Sequence, residues 1–267
     1  MLDFLLTTDA IMALLTLTFL EIILGIDNIV FISIAANKLP EEKRNKVTNI
    51  GLILAMVQRI VLLFFVSFLI GLSKPFFEYH EDWLSVAVSW QAIILFVGGL
   101  FLIYKSTKEI REKVETPKHD EDAVKSKNIK SLQQAIVQIL IIDFIFSIDS
   151  ILTAVGMTNG LHPNHNYTLV LMIIAVIISI IVMIAFANPI RIFIDKNPSM
   201  QILGLAFLIL IGFMLITEAA HLSHTAFFGT TVGAIPKGYL YFAIAFSLFV
   251  EFLNYRTKKN KEVKEIS

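Results

Sequence analysis

The chain has 267 residues, 56% of them hydrophobic, with 22 Phe and a mean hydropathy of +0.75, against the roughly 45–50% apolar share of soluble domains. This composition excludes a soluble globular domain and implies an integral membrane protein. The lack of cysteine excludes disulfides, thiolate metal centres and thiol redox switching; a formal net charge of zero says nothing about partners until the charges are placed, and the basic tail at Lys258, Lys259, Lys261 and Lys264 is explained by topology alone, with nothing to suggest nucleic-acid binding.

A helix that crosses the hydrocarbon core needs about 20 predominantly apolar residues. Seven runs meet this in chain order: 10–36, 47–72, 84–105, 131–157, 167–190, 200–222 and 239–254. The first follows Asp3 and Asp9 with no Lys or Arg before it, and it is longer than a signal-peptide core, so it is expected to be retained. Between the third and fourth runs, "KSTKEIREKVETPKHDEDAVKSKNIK" (105–130) is too polar to bury and too short to form a domain, and reads as a cytosolic linker. With the N-terminus outside, 19 of the 22 Lys and Arg fall in cytosolic segments, two (Lys74, Lys237) fall outside and one (Arg59) lies within a run. Orientation follows this local bias rather than net charge. The expected topology is N-terminus outside and C-terminus cytosolic.

Two stretches match each other by position: "EIILGIDNIVF" from Glu21 and "DFIFSIDSILT" from Asp143. A weaker match sets "GLFLIYK" (99–105) over "GFMLITE" (212–218). Runs 1–3 therefore read as repeated in runs 4–6. An odd number of spans per copy inverts the second copy, the arrangement of many secondary transporters with a site near the midplane. The predicted fold is all-α and membrane-integral: seven transmembrane helices in a 3+3 inverted-topology repeat plus one C-terminal helix. The expected divisions are 1–105 for the first repeat, 106–130 for the linker, 131–222 for the inverted repeat, and 223–267 for an outer loop, seventh helix and basic tail.

The repeat places Glu21, Asp27, Asp143 and Asp149 in apolar runs. A carboxylate at the bilayer centre costs a few kcal/mol even on insertion scales, so such residues face a partner or a wet cavity. Arg59 is the one cation in the spans able to pair with them, either neutralising the acids when a site is empty or forming a purely structural ion pair. Six residues of ideal helix separate Glu21 from Asp27 by about 9 Å along the axis and about 120° around it. An unbroken helix would not aim both at one small ion. A local break at Gly25 and Ser147 is therefore expected, turning Asp27 and Asp149 inward and freeing backbone carbonyls. Asn28 and Ser150 would add neutral oxygens. Carboxylate and carbonyl ligands suit hard cations such as Mn²⁺, Mg²⁺ or Ca²⁺, and oxygen ligands alone do not separate these.

Glu218, His221 and His224 follow at i, i+3, i+6 near the end of run 6 and form a candidate metal-entry or proton-relay site; for His224 an interfacial helix end is preferred. No G-x-x-x-x-G-K-[ST] loop is present, which argues against ATP-driven pumping by this chain alone.

"EIILGIDNIVF", "DFIFSIDSILT" and "IPKGYLYFAIAFSLFVEFLN" (235–254), in that order, resemble the TerC family of integral membrane proteins over roughly residues 10–255. The resemblance implies manganese export, placement with LysE-type exporters, and intramembrane acids at Glu21, Asp27, Asp143 and Asp149. The stretch between Glu218 and Pro236 is longer than the family's short histidine-containing turn, a departure from the family pattern at His221 that the acids do not share. Tellurite resistance, which names the family, is expected to be indirect, because tellurite is an oxyanion that four carboxylates would repel.

The expectation is a plasma-membrane transporter, not an enzyme, exporting a divalent cation, Mn²⁺ above others, by alternating access. Four closely placed acids would compete for protons once the metal leaves, so exchange for protons is expected. No permanently bound cofactor is expected; the partners are the lipid bilayer, the divalent metal ion, and a second copy or other membrane proteins. The alternatives are a membrane scaffold or insertion factor without transport activity and, more weakly, an intramembrane hydrolase.

Overall fold

The computed structural model describes residues 2–37, 39, 41–115 and 132–266, without the side chains of Asp27 and Asn28. The linker expected at 106–130 lies outside this range from residue 116 onward. In chain order the elements are α1 (Leu2–Leu5), α2 (Thr8–Asn37), α3 (Glu41–Phe64), α4 (Val66–Leu72), β1 (Pro75–His80), β2 (Leu84–Ser89), α5 (Trp90–Glu115), α6 (Leu132–Thr158), α7 (His165–Lys196), α8 (Pro198–Leu222), β3 (Ala226–Phe227), β4 (Thr230–Thr231) and α9 (Lys237–Ile266). Among the described residues, five segments are long and apolar enough to cross a bilayer: Glu41–Phe64, Trp90–Glu115, Ile136–Thr158, Asn166–Ile194 and Ser199–Leu222. With no water to satisfy peptide groups in hydrocarbon, helices that bond their own backbones are the solution such sequences reach.

The helices pack in crossed pairs. The most extensive contacts are α5 on α8, α2 on α7 and α3 on α6, with α3 also against α7 and α2 against α6. Glycine permits the first of these. A Cβ built on Gly99 would lie 2.5 Å from the Gly212 carbonyl oxygen and 2.8 Å from Ile216 Cγ1; one on Gly212 would lie 2.7 Å from the Gly99 oxygen and 2.8 Å from Ile103 Cγ1. Each glycine thus admits the other's backbone, the small-residue packing of membrane helices. The contact is reciprocal: Gly99 and Ile103 on α5 meet Gly212 and Ile216 on α8, the residues that the weaker sequence match places over one another.

A four-stranded antiparallel sheet, ordered β1-β2-β3-β4, closes one end of the bundle and adds a β component to the expected all-α fold. The third apolar run does not begin a helix at residue 84. Its first six residues, "LSVAVS", alternate branched aliphatic and small side chains and form β2, burying Ala87 and Ser89 on one face. Ser89 Oγ then accepts the Ala92 amide at 3.2 Å and caps α5. At its other end α5 runs ten residues beyond the predicted limit, to Glu115, with Lys105 paired to Glu109 at 3.2 Å one turn along. The second run is divided at Phe65, whose amide is shared between the Val61 and Leu62 carbonyls. The Ala87 amide donates to the Ser223 carbonyl at 2.6 Å, tying the end of α8 to the sheet.

The break expected at Gly25 and Ser147 is absent: α2 and α6 pass through both positions as continuous helix. Gly25 makes room for the Met183 side chain of α7. Ser147 is fully buried and donates to Asp143. Both small residues serve packing and polar support, so no backbone carbonyls are released for ligation.

Candidate functional site

Three mid-helix side chains meet at the centre of the bundle: Glu21 of α2, Arg59 of α3 and Asp143 of α6, each no more than 3% exposed. Arg59 Nη1 donates to Glu21 Oε2. Nη2 donates to Asp143 Oδ1 at 2.8 Å and Nε to the same oxygen at 3.2 Å. The guanidinium fork spans two carboxylates from two different helices, a geometry that Lys cannot reproduce. Asp143 receives further support from Ser147 Oγ at 3.2 Å and Gln58 Nε2 at 3.5 Å, while Gln58 also donates to the Leu140 carbonyl at 3.3 Å. With both acids ionised the triad carries one net negative charge.

Asp143 and Arg59 separate two cavities. On the side away from the sheet, Asp143 is the polar member of a small space otherwise lined by apolar side chains, among them Ile32, Leu52, Ile139 and Met183. Toward the sheet a second, larger cavity with both apolar and charged walls runs from Arg59 past Asp149 and Ser150 to Glu218, Lys237 and Tyr241. In it Lys237, the first residue of α9, places Nζ 2.6 Å from Asp149 Oδ2. Glu218 is within electrostatic reach of Asp149, Lys237 and His221. Ser150 is buried and donates to the Ser147 carbonyl at 3.3 Å, leaving its lone pairs available to the cavity.

Of the predicted site residues, Glu21 and Asp143 are thus brought together, with Arg59 between them. Asp149 forms a separate station, 1.7 turns along α6 from Asp143, beside Ser150 and Glu218. Asp27 and Asn28 belong to α2, with side chains outside the described ones. His221 is exposed in the last turn of α8, and His224 follows it with a positive φ of 47°. Among the described residues, no three acidic or histidine side chains gather as a metal-ligand set. The physical reason is visible in the contacts: basic side chains occupy the spaces between the acids. The sequence reading missed Gln58, Ser147 as a donor, and Lys237. A signal for Lys237 existed, since it is one of only two basic residues on the expected outer side and directly precedes an apolar run.

Residues 6–265 match the family model described as Integral membrane protein TerC family. The chain is 42% identical over 253 residues to the UPF0053 inner membrane protein YgdQ of Escherichia coli strain K12, covering 94% of this chain and 95% of that protein. It is 41% identical over 251 residues to a UPF0053 protein of Haemophilus influenzae, covering 94% and 95%. A further relative, the UPF0053 inner membrane protein YoaE of Escherichia coli strain K12, is 38% identical over 258 residues, which are 97% of this chain and 45% of that protein. No solved structure matches.

Proposed function

We propose that this chain, which belongs to the TerC family of integral membrane proteins, is a multi-pass inner-membrane transporter that exports a divalent cation, Mn²⁺ above others, from the cytosol. The observation that carries the reading is the buried Glu21–Arg59–Asp143 centre between two cavities. A fixed structural ion pair needs one acid per base. Here two acids from different helices share one guanidinium, and a cavity leads from it past the Asp149–Lys237 pair to Glu218, so the acids Glu21, Asp143, Asp149 and Glu218 outnumber the bases Arg59 and Lys237. Intramembrane acids facing a cavity serve ion pathways by default.

In this reading the sheet marks the outer side, with N-terminus out and C-terminus in as the charge bias requires, and α2 and α9 complete seven spans. The crossed pairing α2–α7 and α3–α6, with the reciprocal Gly99–Gly212 contact, supports an inverted repeat in which the halves rock about the α5–α8 seam. Glu21, Asp27, Asp143 and Asp149, helped by Asn28 and Ser150, carry the ion past Arg59, which swings aside as the metal's charge replaces its own. Glu218 and His221 line the outer exit. Return protons neutralise the vacated acids, giving cation/proton exchange.

The test is Mn²⁺ content in cells and in proteoliposomes, with the wild type set against Asp27→Asn and Asp149→Asn at matched membrane expression. Lowered internal Mn²⁺ with the wild type and none with either substitution is expected. Mn²⁺, Ca²⁺ and Mg²⁺ left unmoved by all three chains would defeat the transport reading and favour a scaffold that assembles other membrane proteins. Transport indifferent to an imposed pH gradient would remove the proton coupling alone.

A further inference from the structure

We infer that Lys237 is a tethered cation that occupies the outer station and sets its selectivity for divalent over monovalent ions; this deepens, and rests on, the cation-transport reading above. Three observations bear on it. Lys237 Nζ lies 2.6 Å from Asp149 Oδ2, with the lysine side chain 33% exposed and the aspartate 18%, so the pair is sheltered yet reachable from outside. Both side chains line the cavity that begins at Arg59, so any ion passing from the central triad to the sheet end meets the ammonium. Glu218 faces the same pair, which provides a second carboxylate for an ion that displaces it.

The ammonium and an arriving cation compete for Asp149. Held by its own chain, the ammonium competes at an effective concentration in the millimolar range or above without any loss of translational freedom. A monovalent ion arriving from solution brings the same unit charge, sheds water, and gains no Coulombic advantage over it. A divalent ion doubles the attraction to Asp149 and can engage Glu218 and the Ser150 hydroxyl as well, hard oxygen ligands suited to it. When the divalent ion leaves, the ammonium returns and opposes re-entry. Lys237 sits at the N-terminal end of α9, after Pro236 at the close of the β4–α9 connection, so its stem swings from a fixed point while the bundle stays closed. Placing a base there also explains why one of the two basic residues on the expected outer side lies against an acid inside a cavity.

The experiment measures Mn²⁺ affinity by calorimetric titration of the purified full chain, and Mn²⁺ flux in proteoliposomes, each with and without about 0.1 M Na⁺ or K⁺. Wild type, Lys237→Met, Lys237→Gln and Lys237→Arg are compared. In the wild type, monovalent salt beyond an ionic-strength control with a bulky organic cation should shift the Mn²⁺ dissociation constant less than twofold. Lys237→Met and Lys237→Gln should bind Mn²⁺ at least fivefold more tightly without salt, become sensitive to Na⁺ and K⁺ by threefold or more, and release the ion more slowly. Lys237→Arg should retain wild-type selectivity. Lys237→Gln keeps a donor for Asp149 and so reports even if Lys237→Met does not fold. Unchanged affinity and unchanged salt sensitivity in both neutral variants overturn the role of Lys237 and leave transport standing. A folded wild type that neither binds nor moves Mn²⁺, Ca²⁺ or Mg²⁺ overturns the transport reading and this inference with it.

Discussion

Removing the guanidinium from the Glu21–Arg59–Asp143 triad should destabilise the protein more than any other single substitution at the centre. Arg59 is 1% exposed and makes charge-assisted bonds to both acids, including 2.8 Å and 3.2 Å contacts to Asp143. For charges about 4 Å apart at an effective dielectric near 20, each contact is worth about 4 kcal/mol of attraction. Repulsion between the two carboxylates and the desolvation of three ions cancel much of that sum. What remains as the cost of deleting the shared partner is about 3–5 kcal/mol, the loss typical of a buried pair broken on one side. At roughly 2–4 °C per kcal/mol for a chain of this order, Arg59→Met should melt about 6–20 °C below the wild type. Thermal unfolding in detergent, followed by the fluorescence of Trp83 and Trp90, measures the shift. The triple substitution Glu21→Gln, Arg59→Met, Asp143→Asn should recover most of the loss, because it removes the uncompensated charges along with the base. Two results refute the reasoning: an Arg59→Met melt within 2 °C of wild type, or a triple variant no better than the single one, which would assign the loss to packing.

The glycines make a sharper contrast. Gly99→Ala and Gly212→Ala meet opposing backbone, so each should cost about 1–3 kcal/mol and by similar amounts, whereas Gly25→Ala meets the flexible thioether of Met183 and should cost about 1 kcal/mol or less; melts of the three variants test the ranking, and a Gly25 variant worse than both others contradicts it. Ser147→Ala removes one donor from the Asp143 carboxylate and should lower stability by about 1.5–3 kcal/mol, the range for a hydrogen bond to a charged group; a melt equal to wild type refutes that contribution. The natural lack of cysteine makes topology directly testable: Phe228→Cys, at a site 81% exposed beside the sheet, should react with an impermeant maleimide in intact cells, and Val114→Cys, 67% exposed at the far end of α5, only after permeabilisation. The reverse pattern inverts the proposed orientation.

Much of the architecture is legible residue by residue. Lengths of about 20 apolar residues locate α6 and α8 closely at both ends and α7 at its start, since the bilayer imposes the same requirement on every span whatever its neighbours, whereas the second run overshoots α3 and takes in α4. Glu21, Asp143, Asp149 and Arg59 stand out for a related reason: a charge in hydrocarbon is costly enough to be exceptional wherever it occurs. The sheet was hidden because six residues of alternating "LSVAVS" run without a charged residue into α5, so hydropathy alone reads a single span. The expected helix breaks failed because glycine and serine have two readings in sequence, hinge or close contact, and only the approach of Met183 to Gly25 and the bond from Ser147 to Asp143 select the second.

The sequence by itself therefore determined a membrane protein of long helices, its family, and which side chains are anomalous in lipid. Only the tertiary structure decided which anomalies meet. Arg59 reaches Asp143 across 84 positions and Lys237 reaches Asp149 across 88, separations at which no local periodicity carries information. Hydropathy is a sum over single residues, whereas a buried charge is neutralised by a partner, and partners are assigned by how the helices cross.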